Sequence, residues 1–281
     1  MKTNTISALF LLLAMGCNQA SESNAEENLP AETRLNVSYG SDPLQKMDVY
    51  LPEGRGASTK TIILLHGGGW SGGSKADLSY FIPILKSRFA NHAIVNMNYR
   101  LGTASSPGFP KQIQDIEKAI TQLKSGDFSI SDQFAFIGIS AGAHLAMLYA
   151  YRYDENQEIK AVASVVGPGD FSDPVYTQSP FFQYGLINLV GNVNPLSNPE
   201  IYLEVSPATH ISAQSPPTIL FYGGQDQLIP ASQGPRLKAR LDEYDVYNEL
   251  HFYPEGGHGN WNPTVTADFQ AKLIAFLLDK F

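Results

Sequence analysis

The amino-acid sequence predicts an α/β fold: one mostly parallel, eight-stranded sheet with helices on both faces and a short cap insertion. Three observations lead there. From about residue 34 onward, short β-branched runs alternate with longer segments of helical period, the pattern of a parallel sheet covered on both sides. The 281 residues are 43% hydrophobic and 16% charged, enough to bury one sizeable core without requiring a second domain. Several apolar runs end in glycine-rich turns, as in HGGGW, GISAG and YGGQD, so the chain reverses sharply at the edge of the expected sheet.

The opening MKTNTISALFLLLAMGC carries Lys2, an apolar run from Ile6 to Met15, and the only cysteine, Cys17. That run falls short of the roughly 20 residues that span a bilayer, so residues 1–16 read as a secretion leader. Leu13-Ala14-Met15-Gly16-Cys17 is similar to the bacterial lipobox. The resemblance implies a lipidated Cys17 and an exported protein whose only membrane attachment is that lipid anchor. The polar stretch 17–33 lacks any apolar period and reads as a flexible tether, with the folded domain over 34–281. A single cysteine excludes an intramolecular disulfide. The 19 basic and 27 acidic side chains give a net charge of −8, and loss of Lys2 with the leader makes it −9. Nucleic acid, which needs a basic face, is excluded as a partner.

Within the domain, Leu35–Tyr39 and Met47–Leu51 read as an opening antiparallel pair of strands. Thr61–Leu65, Ala93–Tyr99, Phe134–Ile139, Ala161–Val166, Thr218–Gly223 and Val246–Tyr253 supply the six strands that follow. Helical patterns lie between them at Asp77–Ala90, Phe109–Lys124, Ala141–Arg152, Ser232–Tyr244 and Thr264–Phe281. In the second of these, Ile113, Ile116, Ile120 and Leu123 recur at helical spacing and mark a core face. Gly167–Ile211 breaks the alternation with six prolines and a series of aromatics. A connection of this length is usually functional or disordered, and its aromatic content favours an ordered cap over the sheet.

The pentapeptide Gly138-Ile139-Ser140-Ala141-Gly142 sits between a strand pattern and a helix pattern. That is the context in which G-x-S-x-G holds a hydroxyl out from the sheet on a strained turn, with the following helix N-terminus behind it to favour a developing anion. Ser140 is therefore the candidate nucleophile. His144, one helical turn on, reads as a packing residue beneath the turn.

A serine hydroxyl needs a base, and the base needs an acid to orient it. Asp226 follows the strand Thr218–Gly223 across a Gly-Gly turn, and His258 follows Val246–Tyr253 in HFYPEGGHGNW. Both fall where parallel strands end, which is where sites collect in open α/β sheets. Among the six histidines, His92 and His251 fall in or beside strand patterns, and His210 sits in the Pro-rich segment without a visible partner. Asp170 and Asp173 compete with Asp226 but read as loop residues.

Directly after Thr61–Leu65 comes His66-Gly67-Gly68-Gly69-Trp70, whose glycines let backbone N–H groups approach a carbonyl oxygen as it becomes an oxyanion. This stretch resembles the HGGG-type motif of lipases and esterases. With the order Ser140, Asp226, His258, it makes the chain similar to the α/β-hydrolase family. Within that family it resembles the bacterial serine esterases related to hormone-sensitive lipase and to the feruloyl and acetyl esterase-like group. The likeness extends over about Arg34 to Phe281, through HGGGW, Asn98–Leu101 (NYRL), Phe109–Ile120, GISAGAHLA and the SPATHIS and PPTILFYGGQDQLIP blocks. It implies the α/β-hydrolase fold and an oxyanion hole formed by Gly68, Gly69 and Ala141. Three departures stand out. There is no long N-terminal helical cap, so any lid comes from Gly167–Ile211. Ala143 stands where many relatives have glycine, and NYRL lacks the usual Ala-Pro-Glu after it.

The expected activity is hydrolysis of a carboxylic ester through an acyl-enzyme, with Trp70 and Phe171 lining a pocket for a small acyl group or a sugar- or phenol-borne ester. The expected partner is a small-molecule ester, including an acylated glycan. No cofactor and no metal are implied, since there is no H-E-x-x-H, cysteine pair or close carboxylate cluster. Two alternatives stand beside this reading: an amidase such as an arylformamidase, using the same triad, and a catalytically idle binding lipoprotein on the same fold.

Overall fold

In the computed structural model, residues 29–281 are described, so the leader, Cys17 and most of the tether lie outside the described residues. Eight strands form one sheet in the order β1-β2-β4-β3-β5-β6-β7-β8. They are β1 (Glu32–Ser38), β2 (Lys46–Leu51), β3 (Thr61–Leu65), β4 (Ala93–Met97), β5 (Phe134–Ile139), β6 (Ile159–Val165), β7 (Thr218–Gly223) and β8 (Asn248–Tyr253). Because β2 pairs antiparallel with both β1 and β4, it alone runs against the others; every later pairing is parallel. The helices are α1 (Phe81–Arg88), α2 (Lys111–Leu123), α3 (Ala141–Leu148), α4 (Pro174–Gln178), α5 (Pro180–Val190), α6 (Pro199–Glu204), α7 (Gln233–Glu243) and α8 (Pro263–Lys280).

The pleat divides the core. Ile63, Leu65, Phe134, Phe136, Leu220 and Tyr222 point to the face covered by α2, α3 and α7. Their neighbours Ile62, Leu64, Ala135, Ile137, Ile219 and Phe221 point to the face covered by α1 and α8. Central strands covered on both sides must be apolar at every position, which is why β3, β5 and β7 read as unbroken hydrophobic runs. On α2 the buried residues include Ile113, Ile116, Ile120 and Leu123, the face expected from their spacing.

Several boundaries differ from the sequence reading. The first strand starts at Glu32, inside the expected tether, because Glu32 binds both Arg34 and Arg55 and pairs opposite Leu51. The helix expected over Asp77–Ala90 splits into a 3₁₀ turn, Lys75–Leu78, and α1. Ser74 and Asp77 form a capping box on the turn, and Pro83, lacking an N–H, fits only the first turn of a new helix. The run over Ala141–Arg152 is α-helical to Leu148 and continues as a π-helical turn, Tyr149–Tyr153. The segment Gly167–Ile211 is ordered and helical: α4, α5 and α6 each begin on a proline, whose missing N–H is no loss at a helix start.

Two local constraints position the central turn. Between β5 and α3, a Cβ on Gly142 would collide with the carbonyl oxygens of Leu65 and His66, and one on Gly138 would run into the Ala143 backbone. Beneath the turn, His144 is fully buried, and burial pushes its imidazole down to about 4. Its Nδ1 lies 3.1 Å from the Trp70 indole Nε1, which can only donate, so the proton resides on Nε2 and is donated to the Val205 carbonyl at 2.7 Å.

Gly142→Ala forces two backbone segments apart, and chemical denaturation should show a loss of about 2 kcal/mol or more. The His144 value lies below that of an unfolded chain, so between about pH 6.5 and 4 the unfolded state binds more protons and stability drops as pH drops. Urea unfolding at pH 6.5 and 4.5 should reveal a loss of about 2 kcal/mol from this group. His144→Asn, which keeps an acceptor and a donor but does not titrate, should flatten that slope; equal slopes would refute the assignment.

Candidate active site

Ser140 occupies the bend between β5 and α3 with φ 54° and ψ −120°, a conformation that is strained for a residue with a Cβ. The strain is held from both sides, since the Ser140 N–H donates to Val165 on β6 at 2.8 Å and its carbonyl accepts from His144 at 3.0 Å. The result is a hydroxyl projecting above the C-terminal edge of the parallel strands.

Across that edge, β7 and β8 deliver the other two groups. Asp226 follows β7 and His258 follows β8, and their loops are joined by the Gln225 N–H donating to Gly256 at 2.8 Å. The Trp261 indole secures the second loop by donating to Gly257 at 3.1 Å. The imidazole of His258 bridges the pair, with Nδ1 2.8 Å from Asp226 Oδ2 and Nε2 3.0 Å from Ser140 Oγ. An ionised carboxylate only accepts, so Nδ1 carries the proton and Nε2 is free to accept from the serine hydroxyl. The Asp226 side chain is 1% exposed. Its Oδ1 accepts from the Leu228 and Ile229 N–H groups at 2.8 and 2.9 Å, leaving Oδ2 for the imidazole.

Facing the serine is the loop after β3. Gly68, Gly69 and Trp70 all have positive φ (117°, 56° and 61°), a left-handed run in the loop that borders the same cavity as Ser140. At Gly67, a Cβ would sit 3.2 Å from the Ser140 Cβ, so the loop abuts the nucleophile directly. Among the described residues, the N–H groups of Gly68, Gly69 and Ala141 donate to no protein acceptor. The loop is braced from below: the Trp70 carbonyl accepts from Gly102 at 2.7 Å and from the Gln112 amide at 2.8 Å. His66 stacks on Tyr99 with ring centroids 4.2 Å apart, and the Tyr99 hydroxyl donates to the His66 carbonyl at 2.6 Å. NYRL, noted in the sequence only as a recurring block, thus has a physical role: Tyr99 supports the glycine loop, while Arg100 binds the buried Asp115 on α2 at 2.7 Å.

Ser140, Ala141, Gly69 and Trp70 border a cavity of about 200 Å³ whose wall also includes Tyr176, Phe182 and Leu186 of the insertion and Leu228 and Ile229 beyond Asp226. Phe171 is not on that wall. It is fully buried behind it, edge-on to Trp70 and Tyr176 at 6.2 and 5.0 Å, because its N–H is drawn inward to Ser206 Oγ. Its place is taken by other aromatics of the same insertion, Tyr176 among them, and by Leu228 and Ile229, which carry no signal in the sequence. A larger hollow of about 530 Å³ lies at the opposite edge of the sheet beside Lys60, His92 and Phe281. It is far from the serine, and size alone does not make it the reactive site.

The remaining candidates take structural positions. Asp170 and Asp173 are buried and bound to Arg236, Gln233 and Ser232. His210 contacts the Glu204 carbonyl at 2.8 Å, His251 packs on Phe221, and His92 lies between Phe89 and Phe281.

The chain is similar to several known hydrolases. Esterase LipC of Mycobacterium tuberculosis is 28% identical over 247 residues, 80% of this chain and 59% of that protein. Kynurenine formamidase of Danio rerio is 29% identical over 146 residues, 48% of this chain and 46% of that protein. The chain spans about half the length of the curated relatives it matches. Among solved structures, a truncated carbohydrate esterase from gut microbiota superposes with a TM-score of 0.71 at 22% identity, covering 89% of this chain and 98% of that one. The sheet order and helix placement are those of the α/β-hydrolase fold, and with the BD-FAE family matching over residues 47–241, the chain belongs to that family.

Proposed function

We propose that the chain is a serine hydrolase that cleaves carboxylic esters through an acyl-enzyme. The observation carrying this reading is the continuous hydrogen-bonded series Ser140–His258–Asp226, at 3.0 and 2.8 Å, on the wall of an apolar cavity beside N–H groups with no protein acceptor.

Ser140 Oγ attacks the ester carbonyl as His258 Nε2 takes its proton. The carbonyl oxygen becomes an oxyanion that accepts from the N–H groups of Gly68 or Gly69 and of Ala141, donors that are rigid before substrate arrives. Asp226 holds the imidazole in the tautomer that can accept, and stabilises the imidazolium formed. The proton then passes to the leaving alkoxide, the alcohol departs, and water repeats the sequence on the acyl-serine to release the acid and restore Ser140.

A cavity of about 200 Å³ with aromatic and aliphatic walls suits a short acyl or an aryl group, with a sugar- or phenol-borne alcohol outside it. The LipC name and the carbohydrate esterase title of the solved neighbour support ester substrates of this kind. A second reading, cleavage of an aryl formamide, draws on the formamidase relative, since the same three groups serve both bonds. Export and lipid anchoring through Cys17 remain part of the proposal and rest on the sequence of residues 1–17.

Ser140→Ala should fold as the wild type, reduce turnover of p-nitrophenyl acetate on the order of 10⁴-fold or more, and abolish labelling by a fluorophosphonate. Unchanged turnover would end the serine reading, and an unlabelled wild type would favour an idle binding protein. Asp226→Asn should lower kcat on the order of 10³-fold or more through the wrong imidazole tautomer. Matched ester and formamide substrates assayed in parallel decide between the two bonds, with the higher kcat/KM expected for the ester.

A further inference from the structure

We propose that His144 is a positioning residue for the reaction, locking the Gly67–Trp70 loop to the helix that carries Ser140. The inference rests on the serine hydrolase reading above and assigns a role to a residue outside the triad.

Three features carry it. His144 is one turn after Ser140 on α3, and its N–H donates to the Ser140 carbonyl, so its ring is rigidly related to the nucleophile. The Trp70 indole donates to its Nδ1, and among the described residues this is the one hydrogen bond between the Gly67–Trp70 loop and α3. Trp70 follows Gly69 directly and holds φ 61°, a conformation with little intrinsic preference for a side chain that large. Its carbonyl is anchored to Gly102 and Gln112, so the indole is the second of two attachments, and a swing at the indole would turn the adjoining Gly69 amide.

The other ring nitrogen extends the link. Nε2 donates to the carbonyl of Val205, which closes α6 at the end of the insertion supplying Tyr176, Phe182 and Leu186 to the cavity. One neutral imidazole therefore joins the nucleophile helix, the glycine loop and the segment walling the substrate cavity. Packing alone would need only a side chain of this shape. The two opposed hydrogen bonds need an acceptor on one side and a donor on the other.

The test is steady-state hydrolysis of p-nitrophenyl acetate by wild type, His144→Leu, His144→Asn, Trp70→Phe and the Trp70→Phe/His144→Leu pair, with folding checked by near-UV circular dichroism. His144→Leu should lower kcat between roughly 10- and 100-fold with KM changed less than about threefold, because the donors are displaced rather than removed. His144→Asn should restore most of that loss. Adding His144→Leu to Trp70→Phe should cost less than His144→Leu costs in the wild type, since the shared bond is already gone and only the Val205 bond remains to be lost. A folded His144→Leu with wild-type kcat, or losses that multiply independently in the pair, would overturn the role. Should His144→Leu not fold, Trp70→Phe decides alone, and wild-type kcat in that variant overturns it. A wild type that neither turns over ester nor reacts with a fluorophosphonate would bring down the hydrolase reading itself, and this inference with it.

Discussion

The structure depends on one close approach. The first turn of α3 comes against the end of β3 so tightly that only a hydrogen atom fits at residue 142, between it and the carbonyls of Leu65 and His66. That contact brings the glycine loop after β3 next to the bend after β5, because both connections leave adjacent parallel strands at the same edge. It also sets the φ of 54° at Ser140, since the chain must pass from strand to helix within one residue. Hydroxyl, helix N-terminus and loop amides all take their places from this one steric condition.

Charge is handled with the same economy. The Asp226 side chain is almost wholly out of water, yet its oxygens meet two backbone N–H donors and an imidazole N–H, so its polar atoms are satisfied where it sits. His144 is the opposite case: among the described residues no carboxylate bonds to it, one of its bonds is to an indole that cannot accept, and burial keeps it neutral. The two histidines near the serine therefore differ in kind. His258 is 23% exposed at the side chain and bridges a carboxylate and a hydroxyl, whereas His144 is wholly buried and holds one tautomer as a fixed joint.

The insertion completes the cavity without adding a domain. Each of its helices starts on proline, and Phe171 packs edge-on against Tyr176 and Trp70 and tilted against His144. Its outer aromatics remain at the mouth: Phe181 is 60% and Tyr184 76% exposed.

Much of this was legible in the sequence, because it depends on local patterns. Strand and helix periods follow from which face is buried, and all eight strands were found with small errors at their ends. G-x-S-x-G, HGGGW and the order of Ser140, Asp226 and His258 are short motifs whose residues act through their own backbone geometry. What the sequence could not supply were the contacts between segments far apart in the chain. Phe171 reads like any loop aromatic, and only the pull of Ser206 on its N–H turns it into the core while Tyr176 takes the wall. His144 was legible as a buried packing residue, but its bonds to Trp70 and Val205 were not, since they span 74 and 61 positions and neither partner carries a signature. By itself, then, the sequence determined the fold class and the candidate site residues, through periodicity and turn chemistry. The cavity and the bracing of the loop were decided only when the folded sheet brought three remote segments against one helix, because packing depends on distance in space and not along the chain.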